Sequence, residues 1–424
     1  METLLLIIFF VLLLTGMPIA FVLGITAMAM FHITGVIPVA AMPEAMYSSL
    51  DSFTLMAIPF FIIAANFLVG GNISRYLIDF ANAFVGHLTG GMGMVCVLSC
   101  MVFAALIGSS IATALSIGVI IIPAMVKLGY DKSFAMALTA AGGTLGILIP
   151  PSLPLIVYGV IAGESVGDLF LAGMIPGVLL GFLLMALTVW IAKKRGFQKS
   201  AKAGWKERRS YTLKAIPVLL MPIIVLGSIY GGIATPTECA AIAAVYALFI
   251  GLFVYRTMKW GQIIPVIVEG MKTTGMIMFI IATALTFGRL VTLMQIPQNL
   301  GALVVSYQLP QWAFLAIVNI VLIIMGCFLE VASILLITLP IIVPLLSVMK
   351  INAIHFGIVM VVNMEMALIT PPVGLVLFAI SGATKSPLSV IIKGIWPFIG
   401  LFFAYLILIT YVPIISTWLP SILR

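Results

Sequence analysis

The stretch from Gly143 to Ser152 reads GTLGILIPPS, and the stretch from Met364 to Val373 reads MEMALITPPV. Each stretch places two adjacent prolines inside a long apolar segment. A proline in a helix interior removes one backbone hydrogen bond and clashes with the preceding turn, so two together predict a break. Within a membrane, broken backbone persists only where protein covers it or where it lines a water-filled cavity. The two stretches therefore predict two interrupted membrane helices beside such a cavity.

The composition is that of a membrane protein. The chain has 424 residues, of which 63% are hydrophobic and only 8% are charged, and its mean hydropathy is +1.32. Soluble domains carry about 25% charged residues. The long runs of Leu, Ile, Val, Met and Ala favour helices over the alternating strands of a membrane barrel. We therefore predict an all-α polytopic membrane protein without a sizeable domain outside the bilayer.

The positive charge is concentrated in one segment. Nine of the twenty Lys and Arg residues lie between Lys193 and Lys214, where only Glu207 opposes them. These nine are Lys193, Lys194, Arg195, Lys199, Lys202, Lys206, Arg208, Arg209 and Lys214. The positive-inside rule assigns such a loop to the cytoplasm. It also suits anionic lipid headgroups, and we do not expect a nucleic-acid partner.

The prolines repeat at a constant offset. The proline pairs begin at positions 150 and 371, an offset of 221. The same offset places Pro123 on Pro344, Gly173 on Gly394, Pro176 on Pro397 and Ser165 on Ser386, whereas an offset of 218 places Pro18 on Pro236. We therefore predict two repeats, residues 1–195 and 215–424, joined by the basic cytoplasmic loop 196–214. The charge distribution predicts that the two repeats are inverted in the membrane.

Each repeat also contains a short apolar pair. The first pair, about 92–127, flanks GSSIAT from Gly108 to Thr113, and the second, about 311–348, flanks CFLEVAS from Cys327 to Ser333. A helix of about 16 residues reaches about 24 Å, less than the ~30 Å hydrocarbon core. We interpret both pairs as re-entrant hairpins, followed by broken helices at about 132–163 and 354–383. Two tilted crossings joined by a surface loop are the alternative.

This plan predicts a secondary transporter. Inverted repeats with interrupted helices are typical of that class. A half-helix that ends inside the membrane leaves N–H groups unpaired at one end and C=O groups unpaired at the other. The N-terminal ends attract a carboxylate, and the C-terminal ends offer oxygens to a dehydrated cation. A hard cation such as Na⁺ prefers such oxygen ligands.

The candidate ligands cluster near the two proline breaks and near the connections inside the two short pairs. We call the connection GSSIAT (Gly108–Thr113) the first tip and the connection CFLEVAS (Cys327–Ser333) the second tip. The candidate Na⁺ residues are Ser109, Ser110, Thr113, Gly142, Gly143, Thr144, Pro150, Glu330, Ser333, Asn363, Thr370 and Pro371. The candidate substrate residues are Ser110, Thr113, Ser152, Ser333 and Thr370. For each hydroxyl, the alternative is a hydrogen bond to its own helix backbone.

Two acids lie at membrane depth. Glu330 and Glu365 either carry a coupling proton or are structural ions paired with a cation such as Arg289, and we favour the structural role. No enzyme is predicted, because the sequence contains neither a phosphate-binding G-x-x-x-x-G-K-[ST] loop nor an H-E-x-x-H zinc pair. The four cysteines have no metal-ligand spacing and are read as small buried hydrophobes. No cofactor is expected apart from Na⁺ as the coupling ion.

Five motifs in order resemble one transporter family over essentially the whole chain. They are GMPIAFVLG (Gly16–Gly24), GSSIATA (Gly108–Ala114), GTLGILIPPS, GGIATPTE (Gly231–Glu238) and TPPVG (Thr370–Gly374). The pattern resembles the large membrane subunit of tripartite ATP-independent periplasmic (TRAP) transporters, which is called DctM in dicarboxylate systems and SiaM in sialic-acid systems.

The resemblance implies several properties. The family imports organic acids across the bacterial inner membrane at the expense of a sodium gradient. A soluble periplasmic binding protein delivers the substrate, and a small four-helix membrane subunit packs beside the large one. The hairpins and broken helices are expected to move as an elevator. One sodium site would lie between Ser109, Ser110 and the break at Gly142–Pro151, and the other between the Glu330–Ser333 tip and the Asn363–Pro372 break.

Two other hypotheses remain open at this point. One is a stand-alone carboxylate symporter or antiporter, coupled to Na⁺ or H⁺, with the same broken-helix plan. The other is a channel or a structural membrane protein, which predicts no sodium dependence. The sequence does not decide between a C4-dicarboxylate and sialic acid as the substrate.

Overall fold

The computed structural model describes residues 1–198 and 200–423. Lys199, one of the nine basic residues of the loop, and Arg424, the last residue of the second repeat, lie outside the described residues. Within the described part, the regular structure is entirely helical. Eight helices are long and apolar enough to cross a membrane. The predicted all-α membrane fold is confirmed.

Within the described residues, ten α-helices end by Arg195 and ten begin at Trp205 or later, so the last ten residues of the predicted loop 196–214 are helical. The first ten are α1 (Glu2–Leu14), α2 (Ile19–Thr34), α3 (Met42–Leu50), α4 (Ala57–Gly70), α5 (Ser74–Val85), α6 (Gly91–Ile107), α7 (Ser110–Lys127), α8 (Lys132–Thr144), α9 (Leu153–Ala162) and α10 (Val166–Arg195). The second ten are α11 (Trp205–Tyr230), α12 (Pro236–Phe249), α13 (Ile263–Leu293), α14 (Ile296–Ser306), α15 (Gln311–Gly326), α16 (Val331–Val348), α17 (Ala353–Leu368), α18 (Leu375–Ala383), α19 (Leu388–Tyr411) and α20 (Ile414–Leu423).

The helix bounds follow the sequence offset. Adding 221 to the bounds of α7 gives 331–348, which are the bounds of α16. Adding it to the first residue of α8 gives 353, where α17 begins. The helices α6 to α10 therefore recur in the same order as α15 to α19, and the matching proline pairs fall at the same place in each half, between α8 and α9 and between α17 and α18.

Both proline pairs interrupt a helix. In the first half, α8 ends at Thr144, a 3₁₀ turn covers Leu145–Ile147, and α9 begins after the Pro150–Pro151 pair. In the second half, α17 ends at Leu368, and α18 begins after Gly374, whose φ of +62° suits glycine. The Pro150–Pro151 and Pro371–Pro372 peptide bonds are both cis.

The two short pairs differ in their packing. The helix α6 packs against both α7 and α8, whereas α15 packs mainly along α17 and barely touches α16. The helix α16 packs instead against α13, α9 and α14. Both α7 and α16 belong to the eight helices long enough to cross a membrane. This corrects the expectation that both arms of each pair are too short, since only α6 and α15 fall below that length.

Small residues bring these helices close together. A methyl group on Gly143 of α8 would lie 2.8 Å from the Cα and 3.0 Å from the backbone nitrogen of Ala114 in α7. A methyl group on Gly326, at the end of α15, would overlap the Cβ of Ala367 in α17. Close backbone approach through small residues is typical of helix pairs in membranes. In this way, each tip is held against its neighbouring broken helix.

Candidate ion and substrate site

A cavity of about 140 Å³ lies between the two tips. The first tip contributes Gly108–Ile111 to its wall, and the second contributes Glu330–Ala332. Ile58 of α4 and Ile277 of α13 complete the wall from helices outside the hairpins and broken helices. The two tips, which belong to different halves of the sequence, therefore share one site.

Four helices begin at this cavity. Its wall includes the first residues of α7 (Ser110–Ile111), α9 (Leu153–Pro154), α16 (Val331–Ala332) and α18 (Leu375). The first turn of a helix has unpaired N–H groups and a partial positive charge. Among the described residues that line the cavity, none is Lys, Arg or His, and Glu330 is the one charged side chain. Peptide dipoles rather than side-chain cations therefore make this cavity suitable for an anion.

Two oxygens converge beside the first break. The Thr113 hydroxyl is buried and has no hydrogen-bond partner. A methyl group on Gly146, in the 3₁₀ turn after α8, would lie 2.5 Å from the carbonyl oxygen of Ser109 and 2.9 Å from the Thr113 Oγ1. Both oxygens therefore lie close to Gly146, and the Ser109 carbonyl also accepts the Thr113 N–H at 3.1 Å. Oxygens of this kind are the ligands that a small hard cation prefers.

The remaining hydroxyls of the first half make defined hydrogen bonds. The Ser110 hydroxyl donates to the Thr144 carbonyl at 3.0 Å, which joins the first tip to the end of α8. The Thr144 hydroxyl donates to the Ala141 carbonyl of its own helix at 2.8 Å. The Ser152 hydroxyl donates to the Ile147 carbonyl and accepts the Leu155 N–H, so it caps α9. Thr144 and Ser152 thus stabilise the break itself.

The predicted glycine and proline positions of the first break act through packing. Gly142 faces the thiol of Cys100, since a methyl group there would lie 3.2 Å from its Sγ. Gly143 faces Ala114, and Pro150 is buried within the break. Their small or rigid backbones allow the first tip to approach α8.

The predicted ligands of the second half have different hydrogen-bond partners and do not form one group. Asn363 directs its amide at α15, where it donates to the Asn319 carbonyl at 3.0 Å and to the Asn319 Oδ1 at 2.9 Å. Asn319 in turn donates to the Thr410 hydroxyl at 2.9 Å. The Thr370 hydroxyl donates to the Met366 carbonyl of its own helix at 2.7 Å. The Asn363 amide nitrogen is therefore engaged by α15, whereas its Oδ1 is buried without a hydrogen-bond partner.

Other candidates of the second half do lie at the tip. Ser333 is buried in the first turn of α16, beside Glu330. The Pro371 carbonyl accepts the Cys327 thiol at 3.8 Å, which joins the second tip to the second break. Asn319, which connects three helices, was not among the predicted residues, although a lone amide inside an apolar helix is a signal for such a role.

The two membrane acids have different surroundings. Glu330 precedes the first turn of α16 and lines the cavity. Glu365 is completely buried, and neither of its oxygens has a hydrogen-bond partner. Among the described residues, ion pairs join Arg195 to Asp131 and Lys272 to Glu269 only. The interpretation that Glu330 or Glu365 pairs with Arg289 was wrong, because the Arg289 side chain is exposed and unpaired with either.

The two tips are not chemically equivalent. Adding 221 to Ser109, Ser110 and Thr113 gives Glu330, Val331 and Ile334. The hydroxyl set of the first tip is thus replaced by one carboxyl group and two apolar side chains. The oxygen cluster described above exists in the first half only, and the second half contributes an acid to the shared cavity.

The sequence matches one protein family along most of its length. The family model for the tripartite ATP-independent periplasmic transporter DctM component matches residues 6–415. The C4-dicarboxylate TRAP transporter large permease protein DctM of Pseudomonas aeruginosa is 43% identical over 376 residues, covering 89% of this chain and 88% of that protein. The sialic acid TRAP transporter large permease protein SiaM of Vibrio cholerae is 34% identical, with 97% of this chain and 96% of that protein covered.

A solved structure shares the fold. The Alcanivorax borkumensis YdaH transporter, described as having an unusual topology, superimposes with a TM-score of 0.60 at 14% sequence identity. The match covers 87% of this chain and 86% of that chain. At this identity the likeness concerns the fold alone, whereas the sequence matches identify the family. The chain belongs to the DctM component family of tripartite ATP-independent periplasmic transporters, whose members are large membrane permeases.

Proposed function

We propose that this chain is the large membrane subunit of a sodium-coupled transporter that imports a small organic acid, of the C4-dicarboxylate or sialic-acid class, into the bacterial cytoplasm. The observation that supports it most is the cavity between the tips, where four helices begin and where Glu330 is the only charged side chain among the described lining residues. Helix N-termini bind carboxylates without side-chain cations.

A cation beside the first tip would complete this site. The Ser109 carbonyl and the unpartnered Thr113 hydroxyl both lie close to Gly146. Removing a hydroxyl from water without a hydrogen bond costs about 1–3 kcal/mol in proteins. A bound Na⁺ would satisfy the Thr113 oxygen and add positive charge next to Ser110, which lines the anion cavity. Cation and anion would then stabilise each other's binding, which is the physical basis of coupled transport.

Movement of the cavity would complete a transport cycle. Its wall combines both tips with Ile58 of α4 and Ile277 of α13. We infer that the hairpins and broken helices move together against α4 and α13, as an elevator. The apolar contacts with Ile58 and Ile277 are non-directional, so they can be exchanged without breaking hydrogen bonds.

The family description supports a larger assembly. A tripartite periplasmic system requires two components besides the DctM component. We infer a small membrane subunit and a soluble periplasmic binding protein that delivers the substrate, with the complex in the inner membrane. On this arrangement the loop between α10 and α11 is cytoplasmic, and substrate choice is shared with the binding protein.

Reconstitution tests the proposal. The chain, its small subunit and its binding protein are placed in liposomes with an inward sodium gradient, and uptake of labelled C4-dicarboxylates and sialic acid is measured. We expect uptake that requires all three proteins and stops when the gradient is dissipated. Uptake by the chain alone would contradict the proposal and favour a stand-alone symporter or antiporter. Uptake independent of both Na⁺ and partners would favour a channel.

Thr113→Val tests the cation site. Valine has nearly the shape of threonine but no oxygen, so we expect the sodium concentration for half-maximal uptake to rise at least tenfold, as a ligand worth about 1.4 kcal/mol is lost. The measurement is the sodium dependence of uptake in proteoliposomes. Thr188→Val is the matched control, because the Thr188 hydroxyl is equally buried but donates to the Leu184 carbonyl of its own helix. An unchanged sodium dependence in Thr113→Val would contradict the assignment.

A further inference from the structure

The lengths of α10 and α11 indicate where the basic loop lies relative to the bilayer. The helix α10 has 30 residues and α11 has 26, so they are about 45 Å and 39 Å long. Both exceed the ~30 Å hydrocarbon core. The C-terminal end of α10 and the N-terminal end of α11 meet at the basic loop. The last turn of α10 and the first turns of α11 therefore lie among the lipid headgroups rather than in bulk water.

The positive charge at this depth is largely uncompensated. Exposed cations include Lys193 and Lys194 at the end of α10, Lys202 in the loop, and Lys206 and Arg209 in the first turns of α11. We call these five residues the basic surface. They occupy two helix ends and the segment between them, so their charges face the same layer of the bilayer.

The acidic side chains near the basic surface interact with other groups. Asp131 forms an ion pair with Arg195. The Glu207 carboxylate accepts the Gly204 N–H at 2.8 Å and so closes the first turn of α11. Asp79 of α5 is half-buried and interacts electrostatically with Arg75 and Lys214. None of these three acids forms an ion pair with the basic surface among the described residues.

The segment is held against the protein. The backbone N–H of Ser200 donates to the Gly86 carbonyl at 3.2 Å, which fixes the loop to the turn between α5 and α6. The Arg208 guanidinium lies 5.7 Å from the centre of the Phe84 ring. The basic surface therefore has a fixed position relative to the helices, which lowers the conformational entropy lost when an anion binds.

Aromatic side chains mark the membrane interface at the same level. Trp190 is 55% exposed, Trp205 is 80% exposed and Trp260 is 69% exposed. The Lys194 Nζ lies 3.8 Å from the centre of the Trp190 ring. Exposed tryptophans with adjacent cations are typical of the headgroup layer. This arrangement favours a lipid over a soluble anion or a nucleic acid.

We propose that the basic surface is a binding site for anionic phospholipid headgroups of the phosphatidylglycerol type in the cytoplasmic leaflet. The phosphodiester groups contact Lys202, Lys206 and Arg209, and the acyl chains lie along α10 and α11 beside Trp190 and Trp205. The bound lipid fastens the connection between the two repeats to the membrane. This proposal does not depend on the transported substrate or on the coupling ion.

A lipid titration tests the proposal. The full-length chain in neutral detergent is titrated with phosphatidylglycerol or phosphatidylcholine, and the retained lipid is counted by native mass spectrometry. We expect tighter binding of phosphatidylglycerol, weakened by added salt. Lys206→Gln/Arg209→Gln is expected to reduce this affinity at least tenfold, because each interfacial charge contributes about a fivefold effect.

The control variant is Arg289→Gln/Lys350→Gln, which removes the same charge outside the basic surface. We expect its affinity for phosphatidylglycerol to stay within twofold of the unmodified chain. Unchanged binding in Lys206→Gln/Arg209→Gln, or an equal loss in the control, would overturn the proposal. Inorganic phosphate is added as a competitor, and displacement of the lipid by millimolar phosphate would also overturn it in favour of a soluble anion.

Discussion

Gly146→Ala is expected to abolish sodium-driven uptake while leaving the protein in the membrane. The added methyl group would lie 2.5 Å from the Ser109 carbonyl oxygen and 2.9 Å from the Thr113 hydroxyl oxygen. Such overlap with backbone displaces the first tip and typically costs about 1–3 kcal/mol. The methyl group also fills the space proposed for the cation. The measurement is the initial rate of uptake in proteoliposomes, and we expect a loss of at least a hundredfold.

Gly382→Ala is the matched control for this substitution. Gly382 lies in α18, near the second break, and a methyl group there would have no neighbour within 4 Å. Replacing a helical glycine by alanine without strain stabilises a helix by about 0.5–1 kcal/mol. We therefore expect normal uptake and equal or greater stability. Normal uptake by Gly146→Ala would show that the space beside Ser109 is not needed for transport.

Asn363→Ala is expected to lower the free energy of unfolding markedly. The substitution removes two hydrogen bonds to Asn319 and leaves buried acceptors without a donor. Because an unsatisfied buried group costs about 1–3 kcal/mol, we expect a loss of about 2 kcal/mol or more. The measurement is unfolding of the purified chain by sodium dodecyl sulfate in mixed micelles. Because the amide nitrogen joins α17 to α15, the expected effect is on stability, and the sodium dependence of the remaining uptake is expected to stay unchanged.

Thr370→Val provides the comparison in the same half of the protein. The Thr370 hydroxyl bonds only to the Met366 carbonyl of its own helix, so its loss should change the free energy of unfolding by less than about 0.5 kcal/mol. If Asn363→Ala were as stable as the unmodified chain but needed more sodium, the amide would act as a cation ligand, and its role between α15 and α17 would have been misassigned.

Local rules explain what the sequence predicted. Adjacent prolines break helices wherever they occur, so the interruptions near Pro150 and Pro371 follow from covalent geometry. Glycine at Gly108 and hydroxyls at Ser109 and Ser110 identify a tip without knowledge of its neighbours. The constant offset between the two proline pairs then extends each local feature from one half to the other. These signals need no knowledge of which helices touch.

The features that the sequence did not predict depend on packing between distant helices. The convergence of four helix N-termini on one cavity depends on how α7, α9, α16 and α18 are placed together, which no local motif contains. The attachment of α15 to α17 through Asn319 is likewise a tertiary contact between helices. The predicted ion pair between Arg289 and Glu330 or Glu365 was wrong for the same reason. The sequence gives the charge of Arg289 but not the direction of its side chain.

Among the described residues, the cavity wall contains no Lys, Arg or His, which has a consequence for leakage. Cargo that enters without its ions would face the Glu330 carboxylate with only peptide dipoles to offset the repulsion. The loaded cavity is then more favourable electrically when a cation accompanies the anion. On the proposed mechanism, the wall itself therefore disfavours the backward movement of substrate that has lost its cation.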